Sequence, residues 1–500
     1  MKVFNSIGIF FFCLLLSALS GCRSLSEMAD LHGDISSDTL LARYLKTYNV
    51  PFSQHNNVHL IQSGHEKFEL LFKDIRQAEQ YVDLEYFNFR NDSIAGLLFD
   101  ILRAKAKEGV KVRAMFDDFG NKSNNRPLKK RHLDTLRAAG IDIIRFDPMS
   151  FPYIKHAFHR DHRKIVVIDG KIAYTGGMNV ADYYITGLPA YGTWHDLHLR
   201  IEGEAVEDLH HIFRETWEKE TGEKLFYGEN SSEAFSYAEA LSHGEKTANE
   251  EQQNALSAVN SEQELSAETA TDLLLALTQE ERATIVRELM EGAQTQSEAR
   301  HDKEEAIQQQ RHTVEEELQI AIVDRKPRDK VGKRLLRNAF IEMIRTAQDS
   351  ITLISPYFVP TRKLRNALKE AAETGTELNV MISAKSDIPL TPSASLYVAQ
   401  QLMKCGANVY LFNDGFHHSK FISVDGTHST VGSANLNSRS LRYDYEVNAF
   451  LFDRRITLQI DSLFHADKRQ STQLTPEIWR GYSVWKRFGC WLANLLTPFL

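Results

Sequence analysis

Cysteine is scarce in this chain of 500 residues, with four in all. Beyond Cys22 only Cys405 and Cys490 remain, and neither sits in a disulfide framework or at a zinc-ligand spacing. Also missing is an apolar run of the roughly 20 residues that a membrane-crossing helix needs, because the stretch Ile7 to Leu19 is too short and too soon interrupted. Positive charge is not in excess either, since the formal net charge is −8. Over the whole chain that balance argues against an anionic partner, but it is unevenly spread. The segment Glu229 to Leu318 holds 21 acidic against 6 basic residues, which leaves 53 basic and 46 acidic residues elsewhere. The remainder is basic, and a basic surface favours anionic lipid or nucleic acid.

At the N-terminus, Lys2, the apolar stretch and then Leu19-Ser20-Gly21-Cys22 read as a secretory signal over residues 1–21. The Leu-Ser-Gly-Cys run resembles a bacterial lipoprotein cleavage box, in which Cys22 becomes the lipidated first residue. A plain signal peptide or an uncleaved anchor is the alternative. Lipidation would hold the chain in the cell envelope, on the inner or the outer membrane, facing the periplasm.

The pattern H-x-K-x-x-x-x-D occurs twice, as His162, Lys164 and Asp169 and as His418, Lys420 and Asp425. Each copy runs from an apolar stretch through an Asp-Gly pair to a glycine and then an asparagine (Asn179, Asn435), the signature of a hairpin with a type I′ turn. Residues two apart on a strand share a face, so His162 and Lys164 point the same way, as do His418 and Lys420. Bringing the two faces together would gather two imidazoles, two ammonium groups and two amides, which suits an anionic phosphate ester. Histidine attacks phosphorus when one ring nitrogen is unprotonated and a carboxylate holds the other. Asp196 and Glu446 are the candidates for that carboxylate. The opposite histidine, protonated, would donate to the leaving alkoxide, while Lys164, Lys420, Asn179 and Asn435 hold the non-bridging oxygens. The scheme requires no metal or other cofactor. Asp169 and Asp425 are grouped with the catalytic candidates as motif members, although their place at the Asp-Gly turns favours a structural role. Nearby, His156, His159 and Arg160 read either as a solvated basic loop or as substrate contacts, and His195 and His198 as surface or core-edge residues.

The motif belongs to a longer repeat: residues 71–89 align with 340–358, and strand and helix patterns then alternate in step. The expected class is α/β, with two αβα sandwich domains, 58–228 and 319–480, related by approximate two-fold symmetry. Residues 22–57 read as a linker before them. The insertion between them, 229–318, lacks Pro, Cys and Trp, and its apolar spacing from Leu273 to Leu289 fits either a helical hairpin or a largely solvated, partly disordered loop. In the tail, 481–500, Trp485, Phe488, Trp491, Leu492 and Leu495 fall close to one helical face beside Lys486 and Arg487. Contact with lipid and packing on the chain's own domain account for that spacing equally.

At the motif residues the chain resembles the phospholipase D superfamily, most closely its bacterial cardiolipin synthase branch. The second copy matches in full, with His418, Lys420, Ser433, Asn435 and Glu446. The first matches at His162, Lys164 and Asn179, with Asp196 as acidic partner and Gly177 where the family often has Ser. The resemblance implies transfer of a phosphatidyl group from one phosphatidylglycerol to the primary hydroxyl of another through a phosphohistidine, releasing glycerol, with His162 as nucleophile and His418 as acid. Its partners would be anionic phospholipid and a membrane surface, not nucleic acid. A monomer is expected, because both motifs lie in one chain. A hydrolytic phospholipase D, a periplasmic phosphodiesterase or nuclease, and a non-catalytic scaffold are the other readings.

Overall fold

Strands β2 (Tyr81–Tyr86), β3 (Lys111–Asp117) and β4 (Ile141–Phe146) pair in parallel, and a helix crosses over between each and the next. On the other side of β2 the chain folds back and forth, so that β5 (Ile165–Ile168), β6 (Ile172–Gly176) and β8 (His198–Gly203) follow in antiparallel order, with β1 (Ser53–Ile61) beyond them. The same plan recurs in the second half. There β10 (Ser350–Ile354), β11 (Glu377–Ser383) and β12 (Asn408–Phe412) are parallel, and β14 (Phe421–Val424), β15 (His428–Gly432), β16 (Glu446–Phe452) and β9 (Leu318–Arg325) are antiparallel. This computed structural model describes residues 37–148, 158–225 and 318–495. The signal segment with Cys22, His156, the insertion apart from Leu318 and the end of the tail lie outside the described residues.

The two halves share a sheet. Its strand order is β4-β3-β2-β5-β6-β8-β1-β9-β16-β15-β14-β10-β11-β12, a palindrome about β1 and β9, with β17 (Ser471–Gln473) added at one edge. The two halves expected from the repeat are joined where β1 and β9, each an edge strand of its own half, pair antiparallel, Ser53 opposite Ile320 and Asn56 opposite Leu318. Both faces are covered. On one, Val82, Leu84, Val166 and Ile168 pack under the helices Gly64–Arg76 and Ser93–Lys107, and Leu353, Val380, Ile422 and Val424 do the same in the second half. On the other, Ile165 and Val167 join Phe421, Val431 and Val447 in one apolar cluster beneath Ala205–Thr221 and Arg454–Lys468. Strands buried on two faces read as continuous apolar runs, as these do.

Residues 22–57, expected to be a linker, are more than that where they are described. The helix Ser37–Thr47 buries Leu41 and Leu45 in the core of the second half, and β1 begins at Ser53. The beginning of the described chain therefore packs against the half that comes last in sequence.

Both Asp-Gly turns have two successive residues at positive φ, Asp169 at 51° and Gly170 at 65°, Asp425 at 53° and Gly426 at 62°, as a type I′ turn needs. The Asp169 carboxylate accepts the backbone N–H groups of Glu79, Gln80 and Tyr81 at 2.7 to 2.8 Å, and that of Asp425 accepts those of Gln348, Asp349 and Ser350 at 2.8 to 2.9 Å. Each aspartate thus ties its hairpin to the start of the neighbouring strand, β2 in the first half and β10 in the second. They stand at the opposite end of the hairpin from the motif histidine, about 20 Å of extended chain away, so the structure sets both apart from the other catalytic candidates. Asp169→Ala should lower stability by about 1–3 kcal/mol in chemical denaturation while leaving turnover per folded molecule unchanged; a large loss of turnover at full folding would restore a chemical role.

Candidate active site

His162 and His418 each stand three residues before a hairpin strand, β5 and β14. The short segment leading to each histidine pairs with the segment leading to the acidic residue of the other half. The His162 N–H donates to Tyr445 O at 3.0 Å and the Tyr445 N–H to Arg160 O at 2.8 Å. On the other side, the His418 N–H donates to His195 O at 2.7 Å and the Phe416 N–H to Thr193 O at 2.8 Å, in the small parallel sheet of β7 (Trp194–His195) with β13 (Phe416–His417).

The side chains follow this exchange. His162 Nδ1 lies 3.1 Å from each carboxylate oxygen of Glu446, and His418 Nδ1 lies 2.6 Å from Oδ2 of Asp196. Each motif histidine is therefore held by a carboxylate from the opposite half, which sequence spacing did not reveal. Asp196 and Glu446 are equivalent positions, each two residues before the residue that pairs with a hairpin glycine, His198 with Gly176 and Asn448 with Gly432. A carboxylate accepts at Nδ1, so that nitrogen carries the proton and Nε2 is left for chemistry.

The halves differ at the position one residue after those glycines. Ser433 Oγ donates to Glu446 Oε2 at 2.5 Å. Its counterpart Gly177 has no room for a side chain, since a Cβ there would come within 2.1 Å of Asp196 Oδ1. The lost hydroxyl is thus replaced by closer approach of the shorter acid.

Lys164 and Lys420 are buried, each donating to the carbonyl of its own motif histidine, and Lys420 Nζ lies 2.7 Å from His418 Nδ1. Burial draws the Lys164 ammonium down to about 7, against the pull of Glu446 and helped by Lys420, and burial draws Lys420 down to about 8. Burial and then Lys420 lower His418 to about 4, and burial chiefly lowers His162. Burial would raise both acids, but Lys420 and His418 outweigh it at Asp196, and His162, Lys164 and Ser433 at Glu446, so both stay below the usual range. The site thus sets two carboxylate-held imidazoles, both with lowered pKa, beside two buried lysines whose ammonium forms burial disfavours.

Asn179 and Asn435 are buried nearby, each with an unpaired amide oxygen. Two aromatic walls flank the histidines: Phe87 lies 5.1 Å from His162, and Trp194, Phe416 and Tyr357 lie 5.6 to 6.0 Å from His418, ring to ring.

A family model described as "Cardiolipin synthase, PLD-like domain" matches residues 71–217 and 340–468. The chain is 30% identical to a cardiolipin synthase of Oceanobacillus iheyensis over 92% of this chain and 79% of that one. It is 31% identical to a probable cardiolipin synthase of Bacillus subtilis over 86% and 70%. The chain belongs to the cardiolipin synthase family of phospholipase D-like proteins. Its fold is also that of the phosphatidylserine synthase of Haemophilus influenzae, with a TM-score of 0.59 at 13% identity over 92% of this chain and all of that one.

Within this family member several residues escaped sequence reasoning. Lys67 is wholly buried on a helix face that is apolar apart from it and Asp74, and it donates to the carbonyls of Met178 and Asn179 at 2.9 and 3.0 Å, bracing the Asn179 loop; the repeat places Leu336 opposite it, and that asymmetry was the available signal. Arg160 is neither solvated nor in the site: it is buried on the Asp117 carboxylate at 2.9 to 3.0 Å. His159 is half-buried with Nδ1 2.9 Å from Tyr443 O. His195 contributes its backbone to the exchange, and His198 is buried beneath the Gly176 turn, with its pKa far below the ordinary value through burial and the nearby Lys67.

Sulfate keeps its charge between pH 6 and 9, so any change in its binding there reports the protein. The lysines are cationic below their depressed pKa values and neutral above, so raising the pH past about 7 to 8 should weaken sulfate binding, the midpoint in the complex lying higher because the anion favours the ammonium form. Titration calorimetry across that range checks this; a flat affinity profile would mean that both lysines remain charged. Replacing Lys164 and Lys420 by arginine should itself flatten the profile, since guanidinium does not titrate there.

Proposed function

We propose that the protein makes cardiolipin from two phosphatidylglycerols by phosphatidyl transfer through a phosphohistidine. The observation that carries this reading is the crossed pair of carboxylate-held histidines, each with a buried lysine beside it. His162 Nε2 attacks phosphorus and the bond to the headgroup glycerol breaks. His418, protonated at Nε2, gives that proton to the departing oxygen. The primary hydroxyl of the second phosphatidylglycerol then passes its proton back to His418 and attacks phosphorus, and His162 leaves. Lys164, Lys420, Asn179 and Asn435 carry the non-bridging oxygens. Burial and then Lys420 lower the His418 pKa; an anion paired with the lysine would offset the second of these and its own charge would favour the imidazolium, as the Asp196 carboxylate does.

Transfer rather than hydrolysis is supported by the relatives, named as a cardiolipin synthase and a probable cardiolipin synthase and matched over most of their length. The Leu-Ser-Gly-Cys22 box supports a lipid anchor facing the periplasm.

Purified enzyme supplied with phosphatidylglycerol should yield cardiolipin and glycerol by mass analysis, and His162→Ala and His418→Ala should each lower turnover by about 10³ or more, as members of one unit do. Phosphatidic acid as the sole lipid product would convert the reading to hydrolysis. Trapping the phosphatidyl group on His418 and never on His162 would reverse the two roles.

A further inference from the structure

The C-terminal helix Val484–Leu495 is docked the wrong way round for a globular protein. Its small residues Cys490 and Ala493 are buried, Ala493 against Ala394 and Val359, while Trp485, Phe488, Trp491, Leu492 and Leu495 face outward, Trp485 at 83% exposure. A surface helix ordinarily buries its large apolar face, and a contiguous exposed patch of this kind marks an interaction site. The apolar surface continues onto the loop before the helix Thr391–Lys404, where Ile388 and Leu390 are exposed and Leu390 is held at φ 72°, a conformation that bulky residues rarely adopt.

That loop leads to the site. Tyr357 donates from its hydroxyl to Asp387 Oδ1 at 2.6 Å, and the Tyr357 ring lies 6.0 Å from the ring of His418. The rim of the patch is basic. Lys486 and Arg487 lie on the C-terminal helix, and Arg362 and Lys363 are exposed at the start of the helix Arg362–Glu373, whose Arg365 donates to Asn494 Oδ1 at 3.3 Å.

We propose that the outward face of the C-terminal helix, with Ile388 and Leu390, docks on an anionic phospholipid bilayer and sets the catalytic mouth against the membrane surface. The inference rests on the phosphatidyl-transfer reading, because a lipid substrate has to be drawn from a bilayer. Aromatic residues at the headgroup level with cationic neighbours suit such a surface. A second copy of the chain is the poorer occupant: a two-fold contact places the same patch on both sides, and here it would bring basic rims together.

The full chain, bound to phosphatidylglycerol vesicles with bromine-labelled acyl chains, should show tryptophan quenching, and Trp485→Phe with Trp491→Phe should remove most of it, although Trp194, Trp217 and Trp479 remain. Trp485→Glu with Phe488→Glu should weaken vesicle binding at least about tenfold and leave turnover on detergent-dispersed phosphatidylglycerol unchanged. Undiminished quenching in the phenylalanine variant would place the lipid contact elsewhere and overturn the proposal. So would a dimer in sedimentation that Trp485→Glu dissolves, since the face would then belong to a second copy. Quenching needs no chemistry, so absence of turnover on the dispersed lipid by the unaltered enzyme would defeat the transfer reading without touching the docking result.

Discussion

The bond between each motif histidine and a carboxylate of the opposite half is the constraint on which the rest of the molecule depends. Neither half can build a working imidazole alone, because the group that fixes its tautomer belongs to the other. That requirement makes the relative placement of the halves a matter of tenths of an ångström, and the backbone supplies it. The Arg160–His162 strand edge lies against Tyr445, and the Phe416–His418 edge against Thr193 and His195. Deeper in the interface, Arg163, which sits between His162 and Lys164, reaches across to Asp324 on β9 with bonds of 2.6 and 2.9 Å and also meets Glu85. Removing one partner of so buried a pair costs about 3–5 kcal/mol, so the motif is locked to the joint as well as to its own hairpin. The pairing of β1 with β9, short and shifted in register between Ser53 and Asn56, adds backbone contact to that joint.

The electrostatics follow from the same enclosure. Two ammonium groups are held close together with little water, and burial depresses both. Two buried cations that disfavour each other gain most from an anion, and the proposed phosphodiester substrate is one. The two carboxylates keep the pair from simply neutralising, because each is itself held ionised by the groups it serves. On the proposed mechanism this positive charge would meet the negative charge of the phosphoryl oxygens, the kind of preorganisation that contributes most to such reactions.

The halves are similar but not equal. Serine with glutamate on one side and glycine with aspartate on the other give both histidines a carboxylate at hydrogen-bonding distance by different means, one through a longer acid braced by a hydroxyl, the other through a shorter acid pressed onto bare backbone. Lys67 braces the Asn179 loop in the first half where the second has Leu336. The aromatic wall is heavier around His418 than around His162, and it is on the His418 side that Tyr357 and Asp387 connect the site to the exposed apolar loop. Chemistry that asks one histidine to attack and the other to move a proton has reason to use such inequality.

Much of this was legible in the sequence. The doubled His-x-Lys pattern, the Asp-Gly turns and the repeat around residues 71 and 340 depend on local rules, side-chain alternation along a strand and φ preferences at a turn, and these act over a few residues wherever the segment ends up. They were enough to specify the hairpins, the α/β layering, the family and the candidate groups of the site. What they could not specify is which acid serves which histidine. Asp196 follows the first motif and Glu446 the second, and nothing in spacing suggests that the partners are exchanged; only the antiparallel joining of β1 to β9 turns the halves so that each acid faces the other's imidazole. The same holds for the helix Ser37–Thr47, whose few leucines have little meaning until a core from the far end of the chain accepts them, and for the outward face of the C-terminal helix. Its spacing fits burial and exposure alike, and the choice was made by small residues finding a close fit against Ala394. Sequence determined the pieces because their physics is local; tertiary structure decided their partners because those contacts join residues hundreds of positions apart.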